Sequence, residues 1–207
     1  MNRTRVKICG ITRVEDGIAA ARAGTDAIGF VFFARSPRNV NPKQVALIIR
    51  ELPPFITKVG LFVDATVDDV SAVLGNVHLD MLQFHGEESP EFCEQFGLPW
   101  LKAVRMVPGV DPALMAQRYA GACGLLLDSY VPGMPGGTGE TFGWESLKSP
   151  LDKPVVLAGG LHPGNVIAAI RTIRPYAVDV STGVESAPGI KDTGKMAEFI
   201  QQVRLAD

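Results

Sequence analysis

The fold is decided by one stretch near the start of the chain, Arg5-Val6-Lys7-Ile8-Cys9-Gly10-Ile11-Thr12. Its apolar and β-branched residues predict a buried strand, and the glycine after Cys9 predicts a turn into a helix. Side chains alternate between the two faces of a strand, so Lys7 and Cys9 share one face. A strand that ends in a reactive side chain and then turns into a helix is typical of the mouth of an α/β barrel.

The same strand–turn–helix unit recurs along the whole chain. Short β-branched runs alternate with helical patterns and predict eight strands: Val6–Ile11, Ala27–Phe33, Thr57–Val63, Met81–His85, Leu101–Met106, Gly124–Asp128, Val155–Ala158 and Ala177–Val180. Eight strands are the number in a closed (β/α)8 barrel, so the predicted fold class is α/β, a single TIM barrel. We expect residues 1–207 to form one catalytic domain, because the chain is at the short end for this fold.

Helix starts are marked by N-cap residues and apolar stripes. Thr12-Arg13-Val14-Glu15 and Thr66-Val67-Asp68-Asp69 are similar to capping boxes. Four further N-cap candidates each precede a proline: Asn41, Ser89, Asp111 and His162. One apolar stripe at helical spacing is expected to face the core and consists of Val67, Val70, Leu74 and Val77. The last helix is predicted from about Thr193 to Leu205, with Met196, Phe199, Ile200 and Val203 facing inward.

Composition and charge narrow the function classes. Apolar residues make up 46% of the chain and the net charge is −2, which is ordinary for a globular enzyme. Lysine and arginine form no cluster, so we expect no nucleic-acid partner. No apolar run is long enough to span a bilayer and no signal peptide is visible, so we expect no membrane partner. Three histidines, none close to another in sequence, argue against a metal site.

The cysteine pattern indicates a reducing compartment. The chain has three cysteines, Cys9, Cys93 and Cys123, which is an odd number without a disulfide spacing. Disulfides are rare in the cytoplasm, so we expect a cytoplasmic protein. Cys93 and Cys123 are interpreted as packing residues.

Two strand ends carry groups suited to acid–base chemistry. Cys9 ends the first strand, and Asp128 ends the apolar run Leu125-Leu126-Leu127 in the sixth. These strands are not neighbours in a closed barrel, so the two groups can address one small substrate from different sides. We expect the Lys7 ammonium to lower the pKa of Cys9 and the apolar run to raise the pKa of Asp128. The alternatives are a packing cysteine and an aspartate that caps a helix or turn.

Two later loops are typical of phosphate binding. They contain Ala158-Gly159-Gly160-Leu161 after the seventh strand and Asp179-Val180-Ser181-Thr182-Gly183 after the eighth. Small residues let backbone N–H groups approach a ligand, and in many barrels these two loops hold a phosphate. The predicted phosphate-binding residues are Gly159, Gly160, Asp179, Ser181, Thr182 and Gly183.

The remaining candidates concern substrate binding. Arg38 follows the second strand and could clamp a carboxylate, although a solvated arginine is the alternative. Gln83 and His85 share the inward face of the fourth strand, where His85 could shuttle a proton or simply line the pocket. We predict that Lys7, Arg38, Gln83 and His85 contact the substrate. The glycine- and proline-rich segment 129–144 is interpreted as a lid over the mouth, with a solvated loop that has no functional role as the alternative.

Together these motifs resemble the phosphoribosylanthranilate isomerase family over nearly the whole chain. The resemblance also includes Gly29-Phe30-Val31-Phe32, Gln83-Phe84-His85-Gly86-Glu87, Gly136-Gly137-Thr138-Gly139, Asp179-Val180-Ser181-Thr182-Gly183-Val184-Glu185 and Pro188-Gly189-Ile190-Lys191-Asp192. It implies a cofactor-free Amadori rearrangement of N-(5-phosphoribosyl)anthranilate to 1-(2-carboxyphenylamino)-1-deoxyribulose 5-phosphate, a step of tryptophan biosynthesis. It also implies that Cys9 is the general base, that Asp128 is the general acid, and that Arg38 lies near the anthranilate carboxylate.

Other functions remain compatible with these residues. One is a different barrel enzyme that acts on a phosphorylated sugar, such as an epimerase or a lyase. A Schiff-base lyase needs a lysine at an inward strand end, and neither Lys58 nor Lys102 lies at an end. Another is a non-catalytic phosphate-ligand binder, in which Cys9 and Asp128 are dispensable. We expect a monomer, with a homodimer as the alternative, since no large exposed apolar patch is evident.

Overall fold

The computed structural model describes residues 3–128 and 151–207, and eight of its parallel strands close into a barrel. Along the chain the barrel strands are β1 Arg5–Cys9, β2 Ala27–Phe32, β3 Thr57–Phe62, β4 Met81–Phe84, β5 Trp100–Arg105, β6 Gly124–Asp128, β7 Val155–Ala158 and β8 Ala177–Val180. Each strand pairs with the next and β8 pairs with β1. The predicted barrel is confirmed, and all eight predicted strands agree to within two residues at each end.

The described helices lie between the strands and after the last one. They are α1 Val14–Ala23, α2 Pro42–Glu51, α3 Val67–Leu74, α4 Pro90–Glu94, α5 Pro112–Arg118, α6 Val166–Ile173 and α7 Thr193–Ala206. A short 3-10 turn, Thr182–Val184, leads from β8 into an antiparallel hairpin of β9 Glu185–Ala187 and β10 Ile190–Lys191. The sequence did not predict this hairpin, which lies close to the barrel mouth.

The core has separate apolar layers on the two sides of the barrel sheet. Alternate residues such as Ile8, Phe30 and Phe84 belong to the large cluster that includes the helices. The opposite faces of the strands fill the barrel with Leu101, Ala103, Leu126, Val156, Ala158 and Ala177. A third cluster, with Cys9, Val31 and Leu61, lies toward the carboxyl ends of the first three strands. Cys9 therefore faces the barrel interior, as the alternation in β1 predicts.

Most predicted helix starts are confirmed and two are wrong. Asn41, Thr66, Ser89 and Asp111 each accept a hydrogen bond from the first turn of a helix, and Thr66 and Asp69 form a capping box. The Thr12 hydroxyl instead donates to the Gly189 carbonyl at 2.6 Å, and α1 begins without a side-chain cap. The helix after β7 begins at Val166, because the Asn165 side chain accepts from the His162 N–H at 2.9 Å and holds a preceding turn.

Two residues that were predicted to pack are exposed. Val67 is 42% exposed because it opens α3, ahead of Val70 and Val73, which are buried. Cys123 is exposed and directly precedes β6, at the amino-terminal end of the barrel. Cys93 is buried on α4 as predicted, and α7 buries its four predicted inward residues. The predicted lid, 129–144, lies outside the described residues.

Candidate active site at the barrel mouth

Cys9 is the last residue of β1 and is only 5% exposed. Gly29 lies opposite Cys9 on β2, and a Cβ atom at Gly29 would lie 2.7 Å from the Cys9 Sγ. Real Cβ atoms essentially never approach another heavy atom so closely. The missing side chain of Gly29 therefore provides the space that the thiol occupies.

A buried ion pair lies next to the thiol. Lys7 Nζ donates to Asp179 Oδ1 at 2.9 Å across the β1–β8 pairing, and both side chains are buried. Burial lowers the pKa of Lys7, but Asp179 and Cys9 together raise it above its ordinary value. Lys7 is therefore a permanent cation beside Cys9. This geometry favours a role in which Asp179 holds Lys7. The predicted contact between Asp179 and a phosphate is less favourable, because a carboxylate repels a phosphate.

The pKa of the Cys9 thiol departs from the sequence prediction. Burial raises this pKa, and the rise exceeds the lowering by Lys7 and Lys191, so the net shift is upward. The prediction had the opposite sign because the sequence shows the nearby lysine but not the depth of burial. A thiolate formed here is therefore a stronger base than an ordinary cysteine thiolate.

A second group of charges joins the loop after β2 to the β9–β10 hairpin. Arg38 donates to Glu185 through Nε at 2.7 Å and through Nη2 at 2.5 Å. Lys191 Nζ donates to the same carboxylate at 2.8 Å, and Glu185 and Lys191 are both buried. Burial acts to raise the pKa of Glu185, but the hydrogen bonds from both cations hold it below its ordinary value. Glu185 is therefore an ionised link that fixes Arg38 and Lys191.

Arg38 keeps part of its hydrogen-bonding capacity. Its stem covers Gly10, where a Cβ atom would lie 2.5 Å from the Arg38 Cδ, and its Nη2 also lies 3.3 Å from the Thr182 hydroxyl. Within the described part of the chain, Nη1 has no hydrogen-bond partner. A planar guanidinium offers several N–H groups in fixed directions. Arg38 can therefore present Nη1 to a substrate carboxylate while Glu185 holds its other edge.

The loops after β7 and β8 lie against each other. Gly159 and Gly160 both have left-handed backbone conformations, with φ of 87° and 64°. A Cβ atom at Gly183 would lie 1.9 Å from the Leu161 carbonyl oxygen, so only glycine permits this contact between the loops. The predicted loop residues Gly159, Gly160, Ser181, Thr182 and Gly183 are thus brought to one side of the mouth.

Lys191 adds a cation to this side of the mouth. Its Nζ lies 3.1 Å from the Ser181 carbonyl oxygen and 3.4 Å from the Ser181 hydroxyl. Burial lowers the pKa of Lys191 by more than Glu185 raises it. Sequence reasoning missed Glu185 and Lys191 as site residues because it did not predict the hairpin. Their presence in the motifs that carry the family resemblance was the available signal.

Asp128 lies at the end of β6 in a chain of polar contacts. Its Oδ2 is 3.2 Å from the His85 Nε2, and the His85 Nδ1 is 3.1 Å from the Gln83 Nε2. His85 directly follows β4, and Gln83 is fully buried within it. The structure therefore joins three predicted site residues that are up to 45 positions apart, Gln83, His85 and Asp128.

The two lysines considered for a Schiff base have other partners. Lys102 Nζ lies 3.1 Å from the buried Glu88 carboxylate and 3.2 Å from the Phe84 carbonyl oxygen. Lys58 Nζ lies 2.9 Å from Asp80. These ion pairs argue against a lyase mechanism. Within residues 3–128 and 151–207, no group of three or more His, Cys, Asp or Glu side chains is arranged to hold a metal ion, and no helix is long and apolar enough to cross a membrane.

The fold and this site define a (β/α)8 barrel with acid–base groups and glycine-rich loops at the carboxyl ends of its strands. A family model described as N-(5'-phosphoribosyl)anthranilate (PRA) isomerase matches residues 6–202. The chain belongs to this family.

Individual relatives agree with the family assignment. The N-(5'-phosphoribosyl)anthranilate isomerase of Pseudomonas putida F1 is 57% identical over 206 residues, and the alignment covers 100% of both chains. The crystal structure of phosphoribosyl anthranilate isomerase from Thermotoga maritima has a TM-score of 0.88 and 40% identity, covering 97% of this chain and 98% of that one. Another solved isomerase is in complex with reduced 1-(o-carboxyphenylamino)-1-deoxyribulose 5-phosphate, with a TM-score of 0.83, 37% identity and coverage of 97% and 98%.

Proposed function

We infer that the chain catalyses the isomerisation of N-(5'-phosphoribosyl)anthranilate to 1-(2-carboxyphenylamino)-1-deoxyribulose 5-phosphate, a step of L-tryptophan biosynthesis. The observation that carries this conclusion is the family match over residues 6–202, in a barrel whose β1 and β6 end in Cys9 and Asp128. The relative solved with the reduced form of this product supports a phosphorylated ligand of the same kind.

We propose that Asp128 is the general acid. A proton from its carboxyl group passes to the ring oxygen of the ribose, and the bond between that oxygen and C1 breaks. The lone pair of the anthranilate nitrogen then forms a C=N bond to C1, which gives the protonated Schiff base. Asp128 is left as a carboxylate, and the protonated Schiff base carries the balancing positive charge.

Cys9 is the general base of the next step. Its thiolate takes the proton from C2, and the C–H electrons form a C1=C2 bond while the C=N π electrons return to nitrogen. The resulting enolamine takes a proton at C1 from the Cys9 thiol and gives the hydroxyl proton at C2 to the Asp128 carboxylate, which yields the ketone and restores both groups. No net proton, electron or atom is gained or lost, as an isomerisation requires.

The other side chains bind the substrate or hold these groups. The N–H groups of Gly159, Gly160 and Gly183 and the hydroxyls of Ser181 and Thr182 are the proposed phosphate ligands, as the pairing of the β7 and β8 loops supports. The Arg38 Nη1 is the proposed donor to the anthranilate carboxylate. Lys7, which Asp179 holds in place, favours the Cys9 thiolate.

The activity is tested by mixing the chain with freshly made phosphoribosylanthranilate. We expect anthranilate fluorescence to decay and a product of unchanged mass to form. A different phosphosugar isomerase or epimerase would leave the fluorescence unchanged and would overturn the proposal. A non-catalytic binder would show saturable binding without turnover, and would overturn it equally.

A homodimer is favoured over the monomer that the sequence suggested. Phe55 is 99% exposed and has a left-handed backbone with φ of 69°. An exposed aromatic ring on a strained backbone contributes little to the stability of a single chain. Phe55 borders a cavity of about 370 Å³ at the amino-terminal end of the barrel, lined in part by Val59, Met81 and Leu101. The isomerase of Thermotoga maritima is described as dimeric. We propose that each copy inserts Phe55 into this cavity of the other.

Sedimentation of the chain tests this proposal. The wild type is expected at twice the mass of one chain, and Phe55→Ser is expected as a monomer with unchanged kcat, because the cavity is at the opposite end of the barrel from Cys9. A wild-type monomer would refute the proposal.

We also propose that the chain works as one domain, residues 1–207, in the cytoplasm. Its three unpaired cysteines support the cytoplasmic location, which cell fractionation tests.

A further inference from the structure

The polar chain from Gln83 to Asp128 has a defined proton arrangement. The Gln83 Nε2 is an amide nitrogen, which can only donate, so the His85 Nδ1 at 3.1 Å must be the acceptor. In neutral His85 the ring proton is therefore on Nε2, which lies 3.2 Å from the Asp128 Oδ2. His85 thus donates to Asp128, while Gln83 decides which of the two ring nitrogens can do so.

Within the described residues, the Gln83 side chain makes no other hydrogen bond. Its side chain is fully buried, and its Oε1 has no hydrogen-bond partner in the described residues. The residues paired with it on the neighbouring strands are Leu61 and Leu101. A buried amide with an unpaired oxygen destabilises a protein relative to an apolar side chain of similar size. The contact with His85 is therefore the feature that accounts for a glutamine at this level of the barrel.

The hydrogen bond from His85 changes strength during acid catalysis. While Asp128 is protonated, the bond joins two neutral groups. As Asp128 gives up its proton it becomes a carboxylate, and the same bond becomes charge-assisted, which makes it shorter and stronger. An interaction that is stronger in the transition state than in the ground state accelerates the step.

We propose that His85 and Gln83 are positioning residues for the acid: Gln83 fixes His85 in the Nε2–H tautomer, and His85 holds Asp128 Oδ2 and stabilises its developing negative charge. This inference rests on the proposed function, in which Asp128 is the general acid. It assigns no proton transfer to His85 itself.

Nitrogen NMR of the histidine rings tests the tautomer without any turnover. The chain has only three histidines, so the His85 signals are identified by their loss in His85→Leu. The Nε2–H tautomer is expected for His85 in the wild type, and a mixture of tautomers in Gln83→Met, which keeps the volume but removes the amide. An Nδ1–H tautomer in the wild type, or an unchanged tautomer in Gln83→Met, would overturn the inference. If wild type shows no turnover, the proposed function fails, whereas this measurement still reports on the Gln83–His85 pair.

Kinetics of matched variants test the effect on the acid. His85→Leu is expected to lower kcat about 10²-fold, as loss of one preorganised donor does, with a much smaller change in KM. His85→Gln is expected to recover part of kcat, since its amide N–H reaches toward the former Nε2 position. Thermal unfolding of all variants identifies any loss that reflects folding. Equal kcat in folded His85→Leu and wild type would contradict the proposal, as would a His85→Gln variant no faster than His85→Leu.

Discussion

Gly29→Ala places a methyl group against the proposed catalytic base. The new Cβ would lie 2.7 Å from the Cys9 Sγ, whereas ordinary contacts begin at 3.4 Å. The difference, 3.4 minus 2.7, requires the thiol or its strand to move by at least 0.7 Å. A displacement of about 1 Å at a reacting group can lower a rate about 10²-fold, so kcat should fall by roughly that factor while KM changes little.

Gly60→Ala is the matched control. Gly60 lies on the adjacent strand β3, and its new Cβ would lie 2.5 Å from Leu79 Cδ1, outside the barrel and away from Cys9. Overpacking of this kind destabilises a protein by about 1–3 kcal/mol. Both variants should therefore lose stability in urea unfolding, but only Gly29→Ala should lose kcat in the fluorescence assay.

Two results would refute this reasoning. If folded Gly29→Ala kept the wild-type kcat, the position of the Cys9 thiol would not matter and Cys9 would not be the base. If Gly60→Ala lost kcat to the same extent, the effect would come from general strain in the barrel.

Three further substitutions test the surrounding groups. Lys7→Met removes a cation that lowers the pKa of Cys9. The part of the pH–rate profile in which kcat rises with pH should therefore move to higher pH. If it stays in place or moves to lower pH, the role of Lys7 is contradicted. Glu185→Gln leaves the buried Lys191 and the partly buried Arg38 without their carboxylate. It should reduce the free energy of unfolding by about 3–5 kcal/mol, measured in urea; a change under about 1 kcal/mol would contradict the ion-pair interpretation. Gly183→Ala forces the β7 and β8 loops apart and should raise KM about tenfold or more, as about 1.4 kcal/mol of lost binding does; an unchanged KM would place the phosphate elsewhere.

The sequence predicted the barrel because the fold depends on a repeated local pattern. Every strand is a short apolar run, and the side chains alternate in a way that puts Cys9 inside from β1 alone. The helix starts at Asn41, Ser89 and Asp111 could be predicted for the same reason, because an N-cap and a following proline affect only the first turn of the helix. The prediction that Thr12 caps a helix was wrong because its hydroxyl donates to the carbonyl of Gly189, which is distant in sequence.

The electrostatics of the site were less predictable because they depend on contacts between distant segments. The sign of the Cys9 pKa shift follows from burial, which no local pattern gives. Arg38 and Glu185, which form an ion pair, are 147 positions apart in the sequence. Their pairing depends on the β9–β10 hairpin, which the sequence did not predict. The contact between His85 and Asp128 likewise spans β4 to β6, although both were singled out separately.

Cys9 and Asp128 are the proposed base and acid of one isomerisation. The most direct test is the kcat of Cys9→Ala and of Asp128→Asn with phosphoribosylanthranilate. The controls are Cys123→Ala and Asp80→Asn, which alter a cysteine and an aspartate that directly precede β6 and β4, at the amino-terminal end of the barrel. We predict that each of the first two loses about 10²–10⁴-fold in kcat and still binds the substrate, while the other two keep wild-type rates. Near-normal rates in both Cys9→Ala and Asp128→Asn would contradict the account.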